Sequence, residues 1–256
     1  MKLQNNLFVT TLIVLVIWML ITMYGEILQA GIGISLTELV SQQIVIALIL
    51  APLFLLAVIA FFKWDNLGLN FPTSIRSLTV IGLPTIYIAG FLGFTLVKGF
   101  PAAQVVTFVL INALLVGISE ELMFRGILFK SALSQFTVWK AIWISSIIFG
   151  AIHALNAFVT GDISTAFAQA IAATMSGIWF MAIRIRTGSL MPVMIVHGLW
   201  DFSIFMLTFG PTTNEAASPS FLIQLLAPSL LVLPLFIYGL FILRDMDKSD
   251  FSFKGD

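Results

Sequence analysis

Residues 104–129 read QVVTFVLINALLVGISEELMFRGILF, an apolar run that is long enough to cross a lipid bilayer as a single helix. Its second half nevertheless contains three ionisable side chains, those of Glu120, Glu121 and Arg125. A charge in the hydrocarbon core costs roughly 3 kcal/mol even on the mildest scales, so residues that bear this cost are functional candidates. The run therefore predicts both a membrane-spanning helix and a polar site within the membrane.

The composition of the whole chain supports a membrane protein. Hydrophobic residues make up 60% of the sequence, charged residues only 9%, and the mean hydropathy is +1.09. Soluble domains carry roughly 25% charged residues, so a water-soluble fold is excluded. The 12 basic and 12 acidic residues balance, which gives no indication of nucleic-acid binding. Because cysteine is absent, disulfides, thiol nucleophiles and cysteine-bound metals are also excluded.

Apolar segments of spanning length recur along the chain between charged or turn residues. They lie near Leu7–Met23, Ile44–Phe62, Leu78–Val97, Gln104–Phe129, Trp139–Ala154, Thr165–Ile183, Leu190–Phe209 and Phe221–Leu243. We therefore predict an all-α, multi-pass transmembrane bundle of about eight helices that forms a single membrane domain over residues 1–256. The first segment is interpreted as a retained helix, since no small-x-small cleavage site of a signal peptide follows it.

The basic residues predict the orientation of this bundle. If the N-terminus is cytoplasmic, ten basic residues fall on the inner side: Lys2, Lys63, Arg76, Lys130, Lys140, Arg184, Arg186, Arg244, Lys248 and Lys254. Only Lys98 falls outside, and Arg125 lies within a span. Lys and Arg accumulate in cytoplasmic loops, and an odd number of helices would destroy this asymmetry. We therefore expect both termini to be cytoplasmic in a protein of the cell membrane.

Asp201 and the only two histidines of the chain, His153 and His197, also lie inside predicted spans. At a rise of about 1.5 Å per residue, Glu120, His153 and His197 lie about 15, 20 and 10 Å from the inner ends of their helices. All three fall around the midplane of the membrane, so we expect three helices to bring them together.

The spacing of the charged residues predicts their pairing. Glu121 and Arg125 are four residues apart with the carboxylate first, which favours an ion pair on one helix face. His197 and Asp201 have the same spacing and also share a face. Each pair could equally be structural, with Glu121 neutralising Arg125 and the histidines acting only as hydrogen-bonding groups between helices. An adjacent second carboxylate, Glu120, has no such structural explanation.

A carboxylate and two imidazoles in a dry cavity favour hydrolysis by an activated water. The sequence lacks the other common hydrolase patterns. No His-Glu-x-x-His zinc motif occurs, because Ala154 follows His153 and Gly198 follows His197. A serine nucleophile elbow is also absent, since Glu121 stands where the closing glycine would be.

These residues carry a resemblance to a known family. The segment Glu120–Gly126 resembles the E-E-x-x-x-R motif of the CAAX protease and bacteriocin-processing (CPBP, or ABI) family, which includes the type II CAAX prenyl endopeptidases. Phe149 and His153 match its F-x-x-x-H motif, and His197 with Asp201 matches its H-x-x-x-N/D motif. The resemblance covers residues 105–205, whereas the remaining helices match only as generic membrane helices.

The resemblance implies an intramembrane, glutamate-dependent endopeptidase with a cavity that opens to the cytoplasm. Glu120 would then activate the water with the help of His153, and His197 with Asp201 would stabilise the oxyanion. Glu121, Arg125 and Phe149 would support the site. Where the family often has Asn, this chain has Asp201, and an ionised carboxylate only accepts hydrogen bonds. We therefore expect Asp201 to orient His197.

Several questions stay open on the sequence. His153, His197 and Glu120 also satisfy the ligand count of a zinc site, although we favour a metal-free enzyme. The expected partners are the lipid bilayer and a peptide or protein substrate, for which a lipidated tail and a bacteriocin precursor are both candidates. The alternative functions are a non-enzymatic membrane immunity or scaffolding protein that retains the motif pocket and, less favoured, a proton-coupled transporter.

Overall fold

The computed structural model describes residues 7–72, 74–209 and 221–246, which are helical apart from their connecting loops. The α-helices are α1 Leu7–Ala30, α2 Leu36–Gln42, α3 Ile46–Phe62, α4 Gly82–Lys98, α5 Ala103–Glu121, α6 Phe129–Leu133, α7 Val138–His153, α8 Ala157–Thr160, α9 Ile163–Thr187, α10 Met191–Thr208 and α11 Phe221–Leu243. Short 3₁₀ segments precede α4 and join α7 to α8. The predicted all-α class is confirmed.

Seven helical segments in this part of the chain are long and apolar enough to cross a membrane, and α2 with α3 adds an eighth. The prediction of about eight spans is therefore confirmed. Helix α1 continues to Ala30, beyond the predicted end at Met23. The sequence pattern also missed α2, which meets α3 at an angle of 89°.

The side chain of Asn112 on α5 holds the break between α2 and α3. Its Oδ1 accepts a hydrogen bond from the backbone N–H of Val45 at 3.0 Å, and its Nδ2 donates to the carbonyls of Val40 at 2.9 Å and Gln43 at 2.7 Å. Backbone groups at a break within a membrane need partners, because lipid offers none. Asn112, which is fully buried, supplies three of them.

The order of the helices sorts the basic residues to one end of the bundle. This basic end holds seven of them in the described residues: Lys63, Arg76, Lys130, Lys140, Arg184, Arg186 and Arg244. Among the described residues, the opposite end holds only one basic residue, Lys98. The ammonium group of Lys98 donates to the carbonyl of Leu207 at 3.4 Å. Lys2, Lys248 and Lys254 lie outside the described residues. The predicted sorting is thus present in space, whereas the side that faces the cytoplasm stays a prediction.

The loop at residues 63–72 folds across the basic end and covers the helices below it. Four contacts hold the loop, namely Lys130 Nζ to Asp65 Oδ1 (2.8 Å), Arg184 Nη2 to the Leu67 carbonyl (3.1 Å), Leu190 N–H to the Gly68 carbonyl (2.7 Å) and Ser189 Oγ to the Asn70 carbonyl (2.6 Å). Lys130 also lowers the pKa of the Asp65 carboxyl through its hydrogen bond and charge. Gly68 has a left-handed φ of 83°, and a side chain there would collide with the guanidinium of Arg184.

A π-helix, Leu122–Leu128, directly follows α5 and joins it to α6. All of its residues are buried, and Ser145 on α7 donates to the carbonyl of Phe124 within it at 2.9 Å. Short π-helical insertions occur frequently at functional sites, because the extra residue per turn re-aims the neighbouring side chains. Here the insertion begins immediately after Glu121.

Two glycines bring α5 and α10 into close contact beside the polar residues. A Cβ atom on Gly117 would lie 2.6 Å from the carbonyl oxygen of Met194, and one on Gly198 would lie 2.9 Å from the Cα of Leu114. Small residues allow membrane helices to approach in this way. The close crossing places the carboxylates of α5 next to the imidazole of α10.

Candidate active site

Glu121 and Arg125 form the base of the polar site. Their side chains are fully buried, and Glu121 Oε1 lies 2.9 Å from Arg125 Nη1, so the ion pair predicted from their spacing is present. The guanidinium also lies over the rings of Phe149, at 4.1 Å from the centroid, and Phe180, at 5.1 Å. Such cation–π contacts stabilise a desolvated cation. The pair is therefore rigidly held.

His197 lies between carboxylates on both sides of its ring. Its Nδ1 is 2.7 Å from Glu121 Oε1, whereas its Nε2 faces Glu120 Oε2 at 3.6 Å and Asp201 Oδ2 at 3.4 Å. Because an ionised carboxylate only accepts hydrogen bonds, the N–H at Nδ1 donates to Glu121. The ring also stacks on Phe180 with 4.4 Å between centroids. Glu121 thus sets the position of the His197 ring and keeps its Nδ1 protonated, through a contact between α5 and α10 that the sequence did not predict.

The carboxylates differ in their access to solvent. The side chain of Glu121 is 0% exposed, whereas those of Glu120 and Asp201 are 17% and 27% exposed. Of these carboxylates, Asp201 lines the cavity, whereas the Oε2 atom of Glu120 is buried and faces His197. We expected Asp201 to orient His197, but the shorter contact to the ring is that of Glu121.

His153 is held by the backbone of its own helix. Its Nδ1 lies 2.8 Å from the carbonyl oxygen of Phe149, so this nitrogen carries the proton and donates. The Nε2 atom then has a free lone pair and can accept a hydrogen bond. Phe149 also packs its ring against those of His153 and His197, with centroids 4.7 and 5.9 Å apart. The F-x-x-x-H spacing thus fixes the tautomer of His153 as well as its packing.

A cavity of about 1020 Å³ leads to this site. Its inner part is lined by Phe149, His153, His197 and Asp201, and its mouth by residues that include Gly33, Glu38, Asp162 and Thr208. These mouth residues lie at the end opposite the basic end. A cavity open to the cytoplasm and cytoplasmic termini were both expected, but they are incompatible in this structure, because the basic end also holds the start of α1 and the end of α11.

Helix α1 supports the site, although the motifs did not point to it. Trp18, which is buried, donates from Nε1 to Ser119 Oγ at 2.8 Å and packs edge-on against Phe124 with centroids 5.6 Å apart. A buried Trp usually finds a partner for its N–H. A single Trp inside an apolar span therefore indicated that its N–H has a hydrogen-bond acceptor, but the sequence does not show that this acceptor is Ser119.

Several buried polar atoms of the site have no hydrogen-bond partner among the described residues. They are Glu120 Oε2, Glu121 Oε2, Arg125 Nε and Arg125 Nη2. Buried polar groups in proteins are generally satisfied, often by ordered water where protein partners are lacking. The site therefore has hydrogen-bonding capacity for water or for a polar ligand.

The residues do not form a metal-binding arrangement. In the described part of the chain, no three His, Asp or Glu side chains are placed so that they could share a metal ion. The candidate ligands His153, His197 and Glu120 thus do not fit a zinc site in this conformation.

A comparison with protein families matches residues 102–203 to the model described as type II CAAX prenyl endopeptidase, Rce1-like. The match contains all seven residues singled out in the three motifs and agrees with the predicted core at 105–205. No curated protein sequence matches the chain.

Proposed function

Because residues 102–203 match the model of the Rce1-like type II CAAX prenyl endopeptidase family, we propose that this protein is an endopeptidase of the cell membrane. It hydrolyses a peptide bond of a membrane-associated substrate with a water activated by glutamate and histidine. The observation that supports this most is the position of His197, whose ring lies between Glu121 on one side and Glu120 with Asp201 on the other. The cavity beside it is large enough for a peptide segment.

In this proposal Glu120 is the general base. Its carboxylate removes one proton from a water molecule, and the oxygen of that water attacks the carbonyl carbon of the scissile bond. The remaining O–H of the water donates a hydrogen bond to His153 Nε2, because the Nδ1–H of this residue already donates to the carbonyl of Phe149. Two acceptors on one water fix the direction of its remaining lone pairs.

His197 stabilises the oxyanion that forms on the carbonyl oxygen. Protonated on both nitrogens, it donates from Nδ1 to Glu121 and turns its Nε2–H to the developing charge. Glu120 then returns its proton to the leaving nitrogen as the C–N bond breaks, so the products are an amine and a carboxylic acid, and the proton of the acid passes to the amine to give a carboxylate and an ammonium group. Arg125 keeps Glu121 ionised, which holds the ring of His197 in place throughout.

Asp201 Oδ2 lies 3.4 Å from His197 Nε2. Substitutions of Asp201 distinguish its role as a hydrogen-bonding group from its role as a negative charge. The amide of Asp201→Asn can accept the same hydrogen bond and can donate to an oxyanion, so we expect cleavage within about tenfold of wild type. Asp201→Ala removes both functions, and we expect a loss of about 100-fold. Both rates are measured as kcat/KM on one peptide. Equal losses would show that the negative charge itself is required, which would reopen the question of a metal.

The proposal routes no step through a metal. We expect the purified protein to contain far less than one equivalent of zinc and to keep its turnover after dialysis against a chelator. Metal content is measured by elemental analysis on the same samples. If turnover falls with the chelator and returns when zinc is added back, His153 and His197 are ligands and the metal-free mechanism is wrong.

The test of the proposed function is a peptide-cleavage screen with purified protein in lipid nanodiscs. Wild-type protein should cleave some peptides of the pool, and the Glu120→Gln variant at the same concentration serves as the blank. A scaffolding or immunity protein would show no difference between the two samples. Equal cleavage, or none by either, would therefore contradict the proposal.

A further inference from the structure

We infer that the substrate reaches the site from outside the cytoplasm, so that the scissile bond lies in the extracytoplasmic part of an exported or membrane-anchored protein. This inference rests on the proposed function, because it concerns the substrate of the same site. It differs from the cytoplasmic cavity that the family resemblance implies. Three independent observations support it.

The first observation is the location of the cavity mouth. Asp162 lies between α8 and α9, Gly33 between α1 and α2, and Thr208 at the end of α10, and all three line the cavity. The backbone N–H of Gly33 donates to the carbonyl of Val159 at 2.7 Å, which confirms that these loops meet at one end of the bundle. From there the cavity extends to His153 and His197.

The second observation is that the basic end offers no passage to the site: its cavity of about 360 Å³, lined by residues that include Arg186, Tyr238 and Arg244, does not extend to His153, His197 or Asp201. Below the site, completely or almost completely buried apolar side chains fill the bundle: Leu67, Leu122, Ile127, Ile183, Leu190 and Val193. The loop at residues 63–72 covers them and is held by Lys130 and Arg184. A peptide cannot pass through close-packed side chains. The cavity mouth is therefore the route to His197 that the described residues provide.

The third observation is the distribution of charge over the two ends. Lys and Arg accumulate on the cytoplasmic side of membrane proteins, where they set the orientation during insertion. Seven described basic residues lie at the basic end, and Lys98 alone at the other. The basic end is thus cytoplasmic and the mouth of the cavity faces outwards.

The walls of the cavity indicate the kind of segment that enters. Ile204 and Phe205 of α10 and Ala227, Pro228 and Leu231 of α11 line one side of it. Helix α11 packs along α9 and barely contacts α10 in the described residues, so these apolar side chains flank a gap between the two helices. A segment anchored in the outer leaflet can enter through this gap. The substrate class is therefore a membrane-anchored peptide rather than a freely soluble one.

The charged groups at the mouth favour neutral or basic residues in the segment. Glu38 and Asp162 line the mouth and Asp201 the interior, whereas no Lys or Arg lines the cavity in the described residues. Hydrogen bonds from Thr165 and Ser164 lower the pKa of Asp162 to about 2, so its carboxylate stays ionised at physiological pH. An acidic side chain would be repelled there.

The absence of cysteine allows a direct test of this inference. Thr208→Cys places a thiol at the cavity mouth, and Gln135→Cys places one on the exposed α6–α7 loop of the basic end. Both variants are treated with a charged, membrane-impermeant thiol reagent in intact cells of the expression host and after permeabilisation. We expect Thr208→Cys to label equally in both, and Gln135→Cys to label at least about tenfold less in intact cells. The reverse pattern, or equal labelling of Gln135→Cys in both, would overturn the inference.

A second measurement links the side of access to cleavage. A peptide found in the screen is added outside sealed vesicles that are either right-side-out or inverted. We expect cleavage in the right-side-out vesicles and none with Glu120→Gln, and cleavage confined to inverted vesicles would overturn the inference. Labelling does not require activity. The expected labelling without any cleavage would therefore contradict the proposed function and leave the outward-facing cavity established.

Discussion

Glu120→Gln is expected to lower kcat/KM for peptide cleavage by about 10²–10⁴-fold, the usual contribution of a general base. The amide has nearly the shape of the carboxylate but cannot accept a proton from water. Glu120 is only partly exposed and lies 3.6 Å from His197, so the substitution leaves the packing of the site in place. Folding should therefore be retained, and the effect should appear in kcat rather than in the thermal unfolding temperature.

Glu26→Gln is the matched control. Glu26 is the same residue type on α1, beyond the predicted end of the first span at Met23, and it does not line the cavity. We expect this variant to cleave at the wild-type rate. If Glu120→Gln also cleaves at that rate, Glu120 is not the base and the mechanism must be assigned to other residues.

Arg125→Met is expected to destabilise the protein by about 3–5 kcal/mol, because it leaves the buried charge of Glu121 without its partner. Glu121 is 0% exposed, so solvent cannot compensate for the loss. The variant also loses the guanidinium contact with Phe149. The free energy of unfolding is measured by denaturant titration in mixed micelles. The free energy of unfolding of Arg125→Lys should lie between those of wild type and Arg125→Met, because an ammonium group keeps the charge but not the planar geometry of the guanidinium.

Arg244→Met provides the control for this substitution. Arg244 pairs with Asp245 at 3.0 Å, but both side chains are largely exposed, so we expect a change of at most about 1 kcal/mol. The double variant Glu121→Gln with Arg125→Met should recover part of the stability, since it leaves no unpaired buried charge. If Arg125→Met alone is as stable as wild type, the ion pair does not hold the site together.

The number and approximate positions of the membrane spans followed from the sequence alone, because membrane insertion depends on local properties. A run of about 20 apolar residues spans the bilayer whatever its neighbours are, so the spans were located to within several residues. The sorting of the basic residues followed from counting those spans. The ion pair of Glu121 and Arg125 was also predictable, because residues four apart lie on the same helix face.

The tertiary structure decided how the helices meet, which depends on contacts between residues distant in the chain. The bond between Glu121 and His197 requires the close crossing of α5 and α10 at Gly117 and Gly198. The break before α3 requires Asn112 from another helix. Hydropathy describes each span separately and contains no information on which helices separate to form a cavity. The position of the cavity mouth at the end opposite the basic end therefore emerged only from the packing of the whole bundle, in which the loop at residues 63–72 covers the basic end.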